Sequence, residues 1–157
     1  MIRFVHTADW HIGQTLRGFT REHEHRKVFE RLEEIIVERD VDALVIAGDV
    51  FDSQNPSGEA QQLFYNTLAR LSRAQPRMTT VIVAGNHDAA GRLEAPRPLL
   101  AAFNIRVVGN VRSHNGAFQI WRDWMMRRAR PSSAECEVST RKWSTRYGRR
   151  WMACRLS

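Results

Sequence analysis

Cysteine is nearly absent from this chain. Its two copies, Cys136 and Cys154, both lie within residues 118–157, a stretch with no histidine. Two thiols without histidine cannot build a structural zinc site, and they give no case for a disulfide framework. Long apolar runs are absent too. None reaches the length of a membrane span, and the N-terminus enters an apolar strand directly, without a basic leader and a long apolar stretch. The expectation is a soluble, cytoplasmic protein that does not use a membrane. Residues 1–117 also lack net charge, with 14 Lys+Arg against 14 Asp+Glu. Residues 118–157 hold 10 basic and 3 acidic residues, so they carry all of the net +7. A basic surplus ordinarily points to an acidic partner such as nucleic acid. Here it belongs to one stretch, so the two parts are read separately.

What is present is one domain's worth of chain, 157 residues, enough to bury a core. Residues 2–6 read as a strand. Residues 22–39 read as a helix: Val28, Phe29, Leu32, Ile35 and Ile36 form one apolar stripe with charges opposite. Asp40-Val41-Asp42 breaks it. Residues 43–48 are an apolar run of strand length. Asn55-Pro56-Ser57 signals a helix start, and the helix to about Arg73 buries Leu63, Phe64, Leu68 and Leu71. A strand at 79–84, a short helix near 97–103 and a strand at 105–109 follow. The order β-α-β-α-β-α-β predicts an α/β fold with a mostly parallel sheet and right-handed crossovers. Near-continuous apolar strands predict helices on both faces.

Three of those strands end in polar residues. "IRFVHTADWH" stops at Asp9 and His11, "ALVIAGD" at Asp49, and "VIVAGNHD" at Asn86, His87 and Asp88. Alone, each stop is ordinary: Asp-x-His caps a helix, Gly-Asp makes a turn, Asn-His-Asp bonds to its own loop. Together they differ. If the strands are parallel, all three stops gather on one rim, where ligands of open α/β sheets bind. Carboxylate, imidazole and amide oxygen on one edge suit divalent metals, and two metals held close together share a bridging carboxylate and polarise a phosphoryl group. Asp49, from the middle segment, is the natural bridge. Gly48 and Gly85 let the backbone turn beneath it.

"DWH", "GDVFD" and "GNHD", in this order and each after an apolar strand, resemble the calcineurin-like metallophosphoesterases. "HTADWHIGQ", "ALVIAGDVFDSQNPSGEA", "VIVAGNHDAAGRL" and "IRVVGN" narrow the resemblance to the SbcD family of nuclease subunits, over residues 1–117. The resemblance implies the N-terminal half of that family's α/β sandwich. It implies two divalent metal ions, with manganese favoured. Asp9 and His11 bind the first, Asp49 bridges, and Asn86 binds the second. His87 stabilises the transition state or protonates the leaving oxygen as a metal-activated water attacks DNA in line. Asp52 and Asp88 are candidates to orient His87 or the backbone, or merely to cap loops. His6 is expected to pack at the strand end, with His23 and His25 on an exposed helix face; none of the three is assigned to a metal. The family's activity is ATP-dependent double-strand exonuclease and hairpin endonuclease work in DNA repair, recombination and replication. Its partners are DNA, the coiled-coil ATPase SbcC, and a second copy of the nuclease chain in a homodimer.

The family pattern continues with a Gly-His and a Gly-His-x-His that do not follow here. After His87 the only histidine is His114, in "RSHNGAF". The expectation is a first metal with three protein ligands, a second with only Asp49 and Asn86, and one flank of the core open. Residues 118–157, rich in Arg, Trp, Ser, Cys and Met, resemble a GC-rich frame translated out of register. They are expected to form an irregular or disordered basic tail unrelated to the family, a frameshift product. Two alternatives stay open. One is a catalytically dead DNA-binding module using Arg interleaved with Trp. The other is a phosphoesterase of small molecules.

Overall fold

The computed structural model describes residues 2–109, Cys136–Ser139 and Met152–Leu156. The elements run β1 (Ile2–Ala8), β2 (Thr15–Leu16), β3 (Phe19–Thr20), α1 (Glu22–Glu38), β4 (Ala43–Gly48), α2 (Gly58–Ala74), β5 (Thr79–Ala84), α3 (Ala90–Glu94), α4 (Arg97–Ala101), β6 (Ile105–Val108), β7 (Cys136–Ser139) and β8 (Met152–Leu156). The main sheet has the order β6-β5-β4-β1-β8-β7. Its first four strands are mutually parallel. No described helix is long and apolar enough to cross a membrane.

Local chemistry explains the helices. The Ser57 hydroxyl accepts from the Ala60 amide at 3.2 Å, capping α2 as the Asn-Pro-Ser signal predicts. On α1 the buried stripe is His25, Phe29, Leu32 and Ile36; Val28, expected in the stripe, is 38% exposed. Asp40 takes a left-handed φ of 48° and turns the chain toward β4. The Asp42 carboxylate then accepts from the Arg3 amide at 2.9 Å, fixing β1 to the start of β4.

The register decides which face the core occupies. Val5, Leu44, Thr80 and Ile105 lie in one row, and Thr7, Ile46, Ile82 and Val107 in the next. Their apolar members share one cluster with Phe29 and Leu32 of α1, Phe64 and Leu68 of α2, Leu93 of α3 and Leu100 of α4. The alternate residues Val45, Val81 and Val108 are buried but lie outside that cluster. The described helices therefore cover one face, not two. The strand order explains this: β1, β4, β5 and β6 advance in one direction, and right-handed crossovers then fall on one side.

Other departures are local. Arg17 (φ 52°) and Gly18 (φ 83°) make a tight turn between β2 and β3, a hairpin too short to show periodicity. The five-residue α3 is an addition for the same reason. His114 and most of 118–157 lie outside the described residues. Within that stretch, β8 pairs antiparallel with β1, and β7 with β8. These two strands depart from the irregular tail expected there. A free edge on β1 would leave a row of unpaired backbone groups, which β8 pairs.

Candidate metal centre

Parallel register converts three separate stops into one rim. Ala8 pairs with Ala47, and Gly48 with Ala84, so Asp9, Asp49 and Gly85 leave the sheet side by side. The loops remain zipped beyond it. The Asp9 amide donates to the Ala47 carbonyl at 3.0 Å, the His11 amide to Asp49 at 3.1 Å, and the Ile12 amide to Val50 at 2.9 Å. Asp9 (φ 53°) and His11 (φ 48°) both adopt left-handed backbone, which Asp and His tolerate better than most residues. Trp10 between them is buried. Its indole N–H donates to the Thr7 hydroxyl at 2.9 Å, and its ring packs 4.6 Å from Phe29. The tryptophan is thus the anchor that lets its two neighbours face the rim.

His11, Asp49 and His87 come together, with one ligand atom of each within 4.8 Å of the others. Asp49 is only 8% exposed. Its Oδ1 accepts from the His87 amide at 2.8 Å, and its Oδ2 lies 3.8 Å from His11 Nε2. The His11 and His87 rings stand edge-on, 5.5 Å apart. His11 Nδ1 lies 3.2 Å from Asp52 Oδ1, an ion-pair contact without a hydrogen bond. The two glycines are needed for this approach. A Cβ at Gly85 would lie 2.5 Å from the Asp49 amide nitrogen and 2.7 Å from the Gly48 carbonyl carbon, and one at Gly48 would overlap Asp9 Oδ1. Two imidazoles and a buried carboxylate, with ligand atoms within 4.8 Å of one another, fit a divalent metal of borderline hardness.

His87 Nδ1 stands 2.9 Å from the Asp52 carbonyl, which can only accept, so Nδ1–H donates. That bond, with the Asp49 carboxylate next in weight, raises the His87 pKa above the ordinary histidine value. Asp52 therefore orients His87 through its backbone and meets His11 through its side chain. Asp88 is a brace. Its buried carboxylate accepts from the Val50 amide (2.9 Å) and Gly85 amide (3.0 Å) on Oδ2, and from the Phe51 amide (2.9 Å) on Oδ1.

The remaining expected site residues fall differently. Asp9 Oδ1 accepts from the Asp49 amide at 3.3 Å, which places its carboxylate beside the cluster. Asn86 is exposed next to His87 and takes part in none of the bonds above. His6 lies within β1, half-buried, and His23 is exposed. His25 corrects its expectation: it is 5% exposed, not on the outer face.

The family pattern of the calcineurin-like phosphoesterases matches residues 2–144. The chain belongs to that family. The family implies divalent metals. The match continues past residue 117, into the stretch read as tail. Among curated relatives, the SbcD chain of the SbcCD nuclease from Rhodobacter capsulatus is 47% identical over 137 residues, 87% of this chain and 34% of that protein. The Bacillus subtilis SbcD chain is 44% identical over 108 residues, and that of Escherichia coli K12 is 36% identical over 109; each match covers 69% of this chain and 27% of the relative. The chain thus spans about a third or less of the length of these relatives.

Proposed function

We propose that this chain carries the metal-binding half of a nuclease of the SbcD type, hydrolysing phosphodiester bonds of DNA. The observation that carries the reading is the convergence of His11, Asp49 and His87 at the ends of β1, β4 and β5. In the scheme we adopt, Asp9 and His11 hold one ion, Asp49 bridges, and Asn86 reaches the second; manganese is the favoured metal. When bound, the ions polarise the phosphodiester and activate water.

The residues of the chain do the rest. Asp49 is held for bridging by the His87 amide on one oxygen. His87 donates Nδ1–H to the Asp52 carbonyl, which leaves Nε2 to give a proton to the leaving oxygen. An imidazole can hold and release such a proton near neutrality. Asp52 and Asp88 fix the loops that aim these groups. Among the described residues, Asp49 and Asn86 would hold the second ion in this scheme.

The SbcD relatives support wider assignments. We infer double-strand exonuclease and hairpin endonuclease action in repair, recombination and replication, in the cytoplasm, with a coiled-coil SbcC-type ATPase and as a homodimer. We keep residues 1–117 as the family unit and 118–157 as a separate, out-of-frame tail. The family pattern, which runs to residue 144, and the 137-residue alignment both pass that boundary. A second reading, a DNA-binding arm, rests on the 10 basic residues of the tail.

The deciding experiment compares wild type and Asp49→Ala on linear duplex DNA with Mn2+. Weak cleavage that the substitution abolishes supports the nuclease. Cleavage of a chromogenic phosphate but not of DNA moves the assignment to a small-molecule phosphoesterase. Salt-sensitive DNA binding without cleavage, lost on deleting 118–157, moves it to the binding arm.

A further inference from the structure

We propose that His25, outside the ligand set, is a positioning residue that fixes the Trp10–His11 peptide, between Asp9 and the His11 side chain. The inference rests on the metal reading above. His25 lies in the first turns of α1, buried, with its ring 6.1 Å from Phe29. Its Nε2 is 2.9 Å from the Trp10 carbonyl oxygen, and its Nδ1 is 2.9 Å from the Arg21 carbonyl oxygen. Trp10 is the residue between the two ligands. Its carbonyl and the His11 amide belong to one rigid trans peptide, so their directions cannot change independently.

That peptide is gripped from both sides. On one side the His11 amide donates to the Asp49 carbonyl at 3.1 Å, which ties it to the loop after β4. On the other side His25 meets the Trp10 carbonyl, which ties it to α1. Rotation of this plane changes the φ of His11 directly, and so swings the imidazole. It also changes the ψ of Trp10, whose indole is locked in the core. Asp9 and His11 both hold left-handed backbone, a conformation that persists only where surroundings over-determine it. His25 supplies part of that determination.

The chemistry sets a requirement. The Trp10 and Arg21 carbonyls both only accept, so a neutral ring donates to one of them alone; the Arg21 carbonyl already takes the His25 amide at 3.1 Å, and the proposed role requires the proton on Nε2, in the neutral Nε2–H tautomer or the imidazolium. Simple packing on Phe29 imposes no such requirement, and a phenyl ring would satisfy it. The comparison is therefore wild type, His25→Phe and His25→Gln of the full chain, titrated with Mn2+ by the electron-resonance signal of the free ion, beside metal-free melting. Loss of the outer partner of a ligand typically weakens metal binding 10- to 100-fold, and His25→Phe is expected to lose about tenfold. His25→Gln, which keeps an N–H donor, is expected to recover much of it. Wild-type Mn2+ affinity in His25→Phe overturns the proposal, whatever its melting temperature. If neither variant folds, nitrogen-15 spectra of the wild-type ring decide: an Nε2 without a proton overturns it, and a protonated, hydrogen-bonded Nε2 supports it. If the wild type binds no Mn2+, the metal reading fails and takes the inference with it, a result distinct from unaltered binding in His25→Phe.

Discussion

Asp88→Asn is the substitution whose cost can be worked from the structure. The wild-type carboxylate, 7% exposed, takes three backbone N–H donors: Val50 and Gly85 on Oδ2, and Phe51 on Oδ1. Asparagine keeps the shape but offers one oxygen. Its best orientation leaves that oxygen to Val50 and Gly85 and turns its NH2 toward the Phe51 N–H, so one bond is lost and a donor faces a donor. A hydrogen bond to a charged group contributes about 1.5–3 kcal/mol, and the two survivors weaken to neutral bonds of about 0.5–1.5 kcal/mol. The lost bond and the two weakened ones together give an expected destabilisation of about 3.5–6 kcal/mol. Urea unfolding at neutral pH without metal measures it as a lower midpoint at unchanged slope. A change under about 0.5 kcal/mol would refute the assignment of Asp88 as a brace. The same variant should bind Mn2+ more weakly, because the Val50 and Phe51 amides follow Asp49 and the Gly85 amide precedes His87. Lost stability with unaltered Mn2+ binding would confine the brace to the fold.

Three further outcomes are expected. Gly85→Ala, whose Cβ would lie 2.5 Å from the Asp49 amide nitrogen, should cost about 1–3 kcal/mol or more and displace Asp49; denaturant unfolding and Mn2+ titration read the two effects. His87→Gln separates proton donor from ligand: Mn2+ affinity near wild type with cleavage lost identifies the donor, and a large loss of affinity identifies a ligand. The raised pKa of His87 also fixes a sign. The charged ring gains more in the folded state, so its contribution is fully present below about pH 6.5 and is lost as pH rises through the folded value. Metal-free melting between pH 5 and pH 9 should show that loss in wild type but not in His87→Gln, and equal slopes would contradict it.

The strands were readable because burial on both faces leaves a continuous apolar run with polar ends. β4 and β5 occupy 43–48 and 79–84, as the runs predict. What covers each face was not readable from those runs. Val45 and Ile46 are equally apolar, yet only Ile46 belongs to the helix-side cluster. Strand order, a non-local property, decides that. The β2–β3 hairpin escaped because two-residue strands carry no period, although Arg17-Gly18 marked its turn.

The site was readable to the extent that a strand's end is readable. Asp9, His11, Asp49 and His87 read as polar strand stops, and the parallel register brings His11, Asp49 and His87 together with Asp9 beside them. Which atoms meet depends on left-handed turns at Asp9 and His11 and on glycines that admit a close approach, and no periodicity encodes those. His25 is the instructive case. Positions 25, 29, 32 and 36 lie at i, i+4, i+7 and i+11, one continuous helical face. Hydrophobicity alone assigns the first of them to solvent. Weighing them by position puts a histidine one turn ahead of Phe29, on the buried face. A polar residue there requires partners inside the protein, and the Trp10 carbonyl, flanked by two of the proposed ligands, is one of them. A polar side chain on an apolar stripe is thus a sequence-level pointer to what supports a site, as a polar strand end is a pointer to the site itself.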